Sequence, residues 1–169
     1  TVFSASARAS IADSVDTAAR AEWIVHTTFG QGGLSPEAGE AVAALPEVGA
    51  LSPMRYTPAR VDGAGATLSA MDPSRIDQLV DLAVTDGTID GLAADEIAVN
   101  ARTAEADGVV VGDELTVEFA QTGAQTFRVA AVYDTLEPMG PYTMSLAAFD
   151  AHVVEPVDSF LFMANADGV

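Results

Sequence analysis

Apolar positions along the chain change spacing from segment to segment, and the changes mark out its elements. Phe3, Ala7, Ile11, Val15 and Ala18 recur at near-helical spacing, with Asp13, Asp16 and Arg20 between them, which predicts an amphipathic helix over Ser4 to Ala21. Glu22 to Thr28 contains Trp23, Ile24 and Val25 among β-branched neighbours and reads as a short strand ending in a loop, Phe29 to Gly33. Ser35-Pro36-Glu37 supplies a capping hydroxyl, a proline at the first helical position and a first-turn acid, so a helix should carry Ala38, Ala41, Val42 and Leu45 until Pro46 stops it. Val48 to Val61 holds Val48, Leu51, Met54, Tyr56 and Val61 with interrupting prolines, which predicts an edge strand with a break.

Further on, Asp72-Pro73 caps a predicted helix whose apolar face is Ile76, Leu79, Val80 and Ala83. Asp86 to Gly91 reads as a turn, Glu96 to Val99 as a strand, and Ala101 to Ala106 as one or two helical turns closed by Gly108. Leu115, Val117 and Phe119 alternate with polar residues, as do Phe127, Val129 and Ala131, and the two runs face each other as a hairpin across Gly123. The proline-rich connector Glu137 to Pro141 leads to a helix at Ser145 to Val153 and a last strand, Phe160 to Met163. No internal repeat or low-complexity tract interrupts this order.

Composition narrows the chemistry. With 49% hydrophobic residues in 169, the chain can fill the core of one domain or of two small lobes. A net charge of −18 repels nucleic acid and anionic headgroups. All seven basic residues are Arg; without Lys there is no Walker-type phosphate lysine and no Schiff-base amine. Cys is absent too, which removes disulfides, thiolate metal sites and a cysteine nucleophile. The Ala-rich, Lys-free balance points to a high-GC bacterial genome rather than a salt-adapted one, because 19% charged residues is low for the latter. The first residue is Thr1 and no apolar run approaches the roughly 20 residues that span a bilayer, so the expectation is a trimmed piece whose membrane helices lie outside it.

Several motifs imitate sites. Asp86-Gly87-Thr88-Ile89-Asp90-Gly91 places Asp, Thr, Asp and Gly as a calcium loop would, but Ile97 stands where the bidentate Glu is needed, so a plain turn is the reading. His26 and His152 lack a partner at metal-ligating spacing, and no Gly-x-Ser-x-Gly elbow supplies a nucleophile for a triad. Gly30-Gln31-Gly32-Gly33 has neither dinucleotide-loop spacing nor a basic neighbour. The carboxylates are spread over polar faces and turns rather than paired for acid/base work. No catalytic residue, cofactor or metal site is therefore predicted. Trp23 and Tyr133 are expected in the core, whereas Met139, Tyr142 and Met144, on and beside the connector, form a candidate partner contact.

The order of segments resembles the extracytoplasmic domain of FtsX/MacB-like ABC-transporter permeases over most of the chain. Ser4 to Ile11 with Arg20 to Val25 is similar to the passage from the first membrane helix into the first strand, and Leu45-Pro46-Glu47-Val48 to a helix-then-strand passage. Leu68 to Pro73, Glu96 to Asn100, and Val111-Gly112-Asp113 ahead of Leu115 and Val117 follow the family's middle pattern, closing at Phe127 to Val132. The resemblance implies an α+β fold: one extracytoplasmic domain over 1–169, with a membrane-proximal βαβ lobe from both chain ends (1–62 plus 136–169) and a mainly β lobe inserted at 63–135.

It also implies a non-enzymatic role. A separate ABC ATPase would drive the parent permease, itself paired with a second permease copy or subunit. The outer domain would pass movement to a peptide, a lipid or lipoprotein, or a cell-wall hydrolase, on the extracellular or periplasmic face, with the membrane met only through flanking helices. A secreted or lipid-anchored acidic ligand-binding module is the reading from a different class. A hydrolase built on scattered Asp and Ser residues is the third.

Overall fold

The computed structural model describes residues 20–26 and 32–166. The helix expected over Ser4 to Ala21 lies outside them except for Arg20 and Ala21, whose amides donate to the Leu79 carbonyl at 2.8 and 2.9 Å. The Phe29 to Gly33 loop is described only at its last two residues.

The chain is α+β and dominated by sheet. In order, the elements are β1 (Trp23–His26), α1 (Pro36–Ala43), β2 (Val48–Val61), β3 (Ala64–Met71), α2 (Ile76–Leu79), β4 (Val84–Gly87), β5 (Glu96–Asn100), α3 (Ala101–Asp107), β6 (Glu114–Phe119), β7 (Gly123–Tyr133), β8 (Tyr142–Ser145), α4 (Leu146–His152) and β9 (Phe160–Asn165). The strands run β1-β9-β2-β3-β8-β5-β7-β4, with β6 paired to β2 and β7. Most pairs are antiparallel; β3 with β8 and β5 with β7 are parallel.

The long strand β2 shows the expected break and corrects the edge-strand expectation only in part, since it stands between two strands in the sheet order while each half is paired on one side. It pairs β9 from Val48 to Met54 and β3 from Arg55 to Val61, so it lies inside the sheet and changes partner halfway. Its prolines are tolerated because each half has a paired strand on one side only. Pro53 faces β9, Pro58 faces β3, and β6 joins only at Arg60 and Val61.

Two buried clusters cover the sheet's two faces. Leu68 and Ala70 belong to one and Met71 to the other; Ile97 and Val99 belong to one and Ala98 to the other. Strand β7 breaks this parity, since Phe127 and Val129 lie on the first face while Ala131 and Tyr133 lie on the second. The cause is a bulge: Ile97 and Ala98 oppose Val129 and Ala131, leaving Ala130 as the extra residue that turns the strand over. Gly87 of β4 crosses at this bulge with φ +72, and a Cβ there would sit 2.0 Å from the Ala130 carbonyl oxygen.

The cap at Ser35 formed where the residues predict it, but the expected cap at Asp72-Pro73 did not: Asp72 accepts from the Ser74 amide, and the short helix after it starts at Ile76 with no side-chain cap. Ser35, Asn100 and Ser145 accept from first-turn amides of α1, α3 and α4, and Gly108 ends α3 with φ 69. The helix expected after Asp72-Pro73 shrinks to α2, because the chain turns extended at Val80 and reaches φ 48 at Ala83. Ile76, Leu79 and Val80 are still fully buried as expected, but Ala83, the fourth residue of the expected face, is exposed beyond the end of the helix. Residues of the expected Asp86 to Gly91 turn begin in β4 instead, paired with β7.

Candidate functional site

The connector between β7 and β8 is where the sheet converges. Four successive carbonyls accept hydrogen bonds from four different strands. Tyr56 Oη of β2 donates to Pro138 O at 2.7 Å, and Ser69 Oγ of β3 to Met139 O at 2.5 Å. Tyr133 Oη of β7 donates to Gly140 O at 2.6 Å, and the Asn100 amide of β5 to Pro141 O at 2.9 Å. A loop buried against a sheet leaves its carbonyls unsatisfied unless such donors exist, and here each has one. Burial pushes the Tyr56 and Tyr133 phenols far above the ordinary tyrosine value, so both stay protonated donors. Asn100 also sends Nδ2 to the Tyr133 and Asp134 carbonyls, both at 3.3 Å, tying the end of β7 to β5.

This network corrects the connector as a contact surface. Met139 packs in the cluster of Met71, Ile76 and Phe162, while Met144 and Tyr142 pack in the cluster of Leu68, Ile97 and Phe149. All three side chains are buried and divided between opposite faces of the sheet. Tyr142 keeps one polar contact, its hydroxyl donating to Asp107 at 3.3 Å; burial first, and the Asp107 carboxylate second, push its phenol up to about 12.

A second polar centre lies beneath α1. Arg55 Nε donates to Asp158 Oδ1 at 2.6 Å, and the same guanidinium pairs with Asp150 of α4. Arg55 and Asp158 are both buried, and Asp158 Oδ2 has no hydrogen-bond partner among the described residues. Asp158 is held from its backbone, which exchanges two bonds with Leu34 at 2.8 and 2.9 Å. A Cβ on Gly39 would come within 2.9 Å of Oδ2, so α1 can press onto this carboxylate only with glycine there. The cluster joins β2, α4 and the residues around α1. Sequence reading passed over Arg55, although an Arg between Met54 and Tyr56 in an apolar strand was a signal for a buried ion pair.

The remaining candidates fall apart spatially. His152 stacks on Phe119 with ring centroids 4.6 Å apart, and its Nδ1 lies 3.0 Å from Thr122 Oγ1, so it joins the β6–β7 hairpin to α4. Burial lowers its pKa from the ordinary histidine value. His26 lies in β1, against Phe160. Asp86 spends its carboxylate on the Gly87 amide. No group of three metal-ligating side chains occurs among the described residues, and none of their helices is long and apolar enough to cross a membrane. A recess of about 470 Å³ is lined by Arg20, Asp77, Val80, Asp81, Leu82 and Ile89, and Arg20 is already bonded there to Asp77 O and Asp81, both at 2.9 Å. Trp23, expected inside, is 60% exposed because β1 is the terminal strand of the sheet.

The arrangement thus offers a pinned connector and a buried ion cluster, with no reactive constellation among the described residues. The fold matches the periplasmic region of MacB from Actinobacillus actinomycetemcomitans with a TM-score of 0.60 at 14% identity, over 86% of this chain and 74% of that one. The chain has the fold of the MacB periplasmic region. The extracellular domain of the ABC-type transporter YknZ from Gram-positive bacteria superposes with a TM-score of 0.61 at 12% identity, over 86% of this chain and 83% of that one. No protein-family model and no curated protein sequence matches the chain.

Proposed function

We propose that this chain is the non-catalytic extracytoplasmic domain of an ABC-transporter permease, working on the outer face of the cell membrane. A cytoplasmic ATPase supplies the work, the permease membrane helices carry it outward, and this domain passes it to a substrate or to an extracytoplasmic protein. The observation that carries the reading is the MacB-like fold itself, shared with the extracytoplasmic regions of two transporters. The pinned connector supports it mechanically. A lobe over 63–135, inserted into one made by 1–62 and 136–169, would leave its partner through β2–β3 and return through the connector. Bonds from four strands to the connector's carbonyls let force pass across that return without the loop stretching.

The parent gene tests this reading. It should encode membrane helices flanking this domain and lie beside, or fused to, an ABC ATPase. A parent with no membrane helix on either side would overturn the reading.

A further inference from the structure

We propose that α1 is a lid that lifts off the buried carboxylate of Asp158 while the sheet beneath it stays folded. Of the four described helices α1 is the least anchored. Ile76 and Leu79 of α2, Ala104 of α3, and Ala148 and Phe149 of α4 all lie in the two buried clusters, but no residue of α1 is found in either. Gly39 is its one buried residue, and Leu45, just past its end, is 50% exposed. A helix that sends no apolar side chain into the core gains little from tertiary burial, and eight residues are too few to hold a helix in water by themselves.

The contacts that do hold α1 lie mostly at its two ends. Before it, Leu34 exchanges two backbone bonds with Asp158; after it, the Val48 amide donates to the Leu45 carbonyl at 3.1 Å as β2 begins. Between these fixed points, the helix rests on Asp158 and Leu161 through Gly39.

That middle contact is unfavourable at one atom. Asp158 Oδ2 is buried with no hydrogen-bond partner among the described residues, and the α1 backbone closes on it too tightly to admit a Cβ. A carboxylate oxygen sealed from water without a donor costs free energy that is returned once water reaches it. Lifting α1 returns that hydration. Arg55 keeps its bonds to Oδ1 of Asp158 and to Asp150 in the meantime, so the ion cluster persists under the open lid. Opening uncovers Asp158 and Leu161, which are 1% and 2% exposed when the lid is shut.

Gly39→Ala separates a lid from a helix that merely frays, because the two give opposite signs. Alanine is the better helix former, so fraying alone predicts slower amide exchange across α1. On a lid seated over Asp158, the added Cβ would stand 2.9 Å from Oδ2 and prop the helix open. Hydrogen exchange of the full chain, read by peptide mass spectrometry, should show wild-type α1 exchanging at least about 100-fold faster than β9, with little dependence on low urea. Gly39→Ala should exchange about tenfold faster still across α1. Arg55→Met combined with Asp158→Leu removes the sealed oxygen and should slow α1 exchange by about tenfold. Slower or unchanged α1 exchange in Gly39→Ala would overturn the proposal, as would α1 and β9 exchanging together in the wild type. A folded double variant whose α1 exchanges as fast as the wild type would overturn it too; if the double variant does not fold, Gly39→Ala decides alone. None of these outcomes bears on the transporter reading, which the parent gene decides.

Discussion

Tyr133 and Gly140, seven residues apart, are joined by a hydrogen bond from the phenol to the carbonyl at 2.6 Å, which folds the connector back over the strand it leaves. Tyr133 is fully buried, and removing its hydroxyl takes the donor from the half-buried Gly140 carbonyl. Tyr133→Phe should destabilise the domain by about 1–3 kcal/mol, and Tyr56→Phe by a comparable amount. Urea unfolding of the two single variants and the double variant should show coupling, because both hydroxyls hold the same loop.

The two methionines separate a core connector from an exposed one. Met139→Ala and Met144→Ala should each cost about 2–5 kcal/mol, as buried large-to-small changes do. Val154→Ser, at a 67% exposed position, should stay within about 0.5 kcal/mol. Thermal or urea midpoints for the three variants decide the point; a mild Met139→Ala would mean the connector opens in solution.

For the ion cluster, which partner is removed should matter more than how many. Asp158→Asn leaves Arg55 buried without its buried carboxylate partner and should cost about 3–5 kcal/mol. Replacing Arg55 and Asp158 together by Met and Leu should recover most of that loss, because a packed apolar pair needs no desolvation. Chemical unfolding of the single and double variants measures both.

Burial lowers the His152 pKa below that of the unfolded chain, so the folded state favours the neutral ring. The sign follows directly. Above the unfolded value near 6.5 both states are neutral and the contribution is complete; as pH falls below 6.5 the unfolded chain takes up a proton that the folded chain resists, and stability drops until the folded pKa is passed. The difference in unfolding free energy between the wild type and His152→Gln should therefore shrink between pH 7 and pH 5. A flat difference would show that the ring titrates alike in both states.

Local chemistry was legible where a few neighbours decide the outcome. The cap at Ser35, the Gly108 helix end and the β6–β7 alternation each depend on residues close in sequence, and each is where it was expected. The β2–β3 hairpin was also written in the chain: Asp62-Gly63, with φ 47 and 83, is the turn that such a pair favours, but the prolines of β2 drew attention away from it. Partner choice was not legible. Whether Val48 to Val61 lies at an edge depends on β9, more than a hundred residues away, and Trp23 is exposed because no described strand lies beyond β1. The donors that bury the connector come from four strands, so no window of sequence contains them.

The account is tested most directly by one cysteine in the full-length parent. The chain has no Cys, so Val154→Cys gives a single reporter in this domain at an exposed position. In intact cells it should react with a membrane-impermeant maleimide, and the reaction rate should change when the cognate ATPase is inactivated. Labelling only after permeabilisation would contradict the extracytoplasmic placement, and a rate indifferent to the ATPase would contradict the coupling.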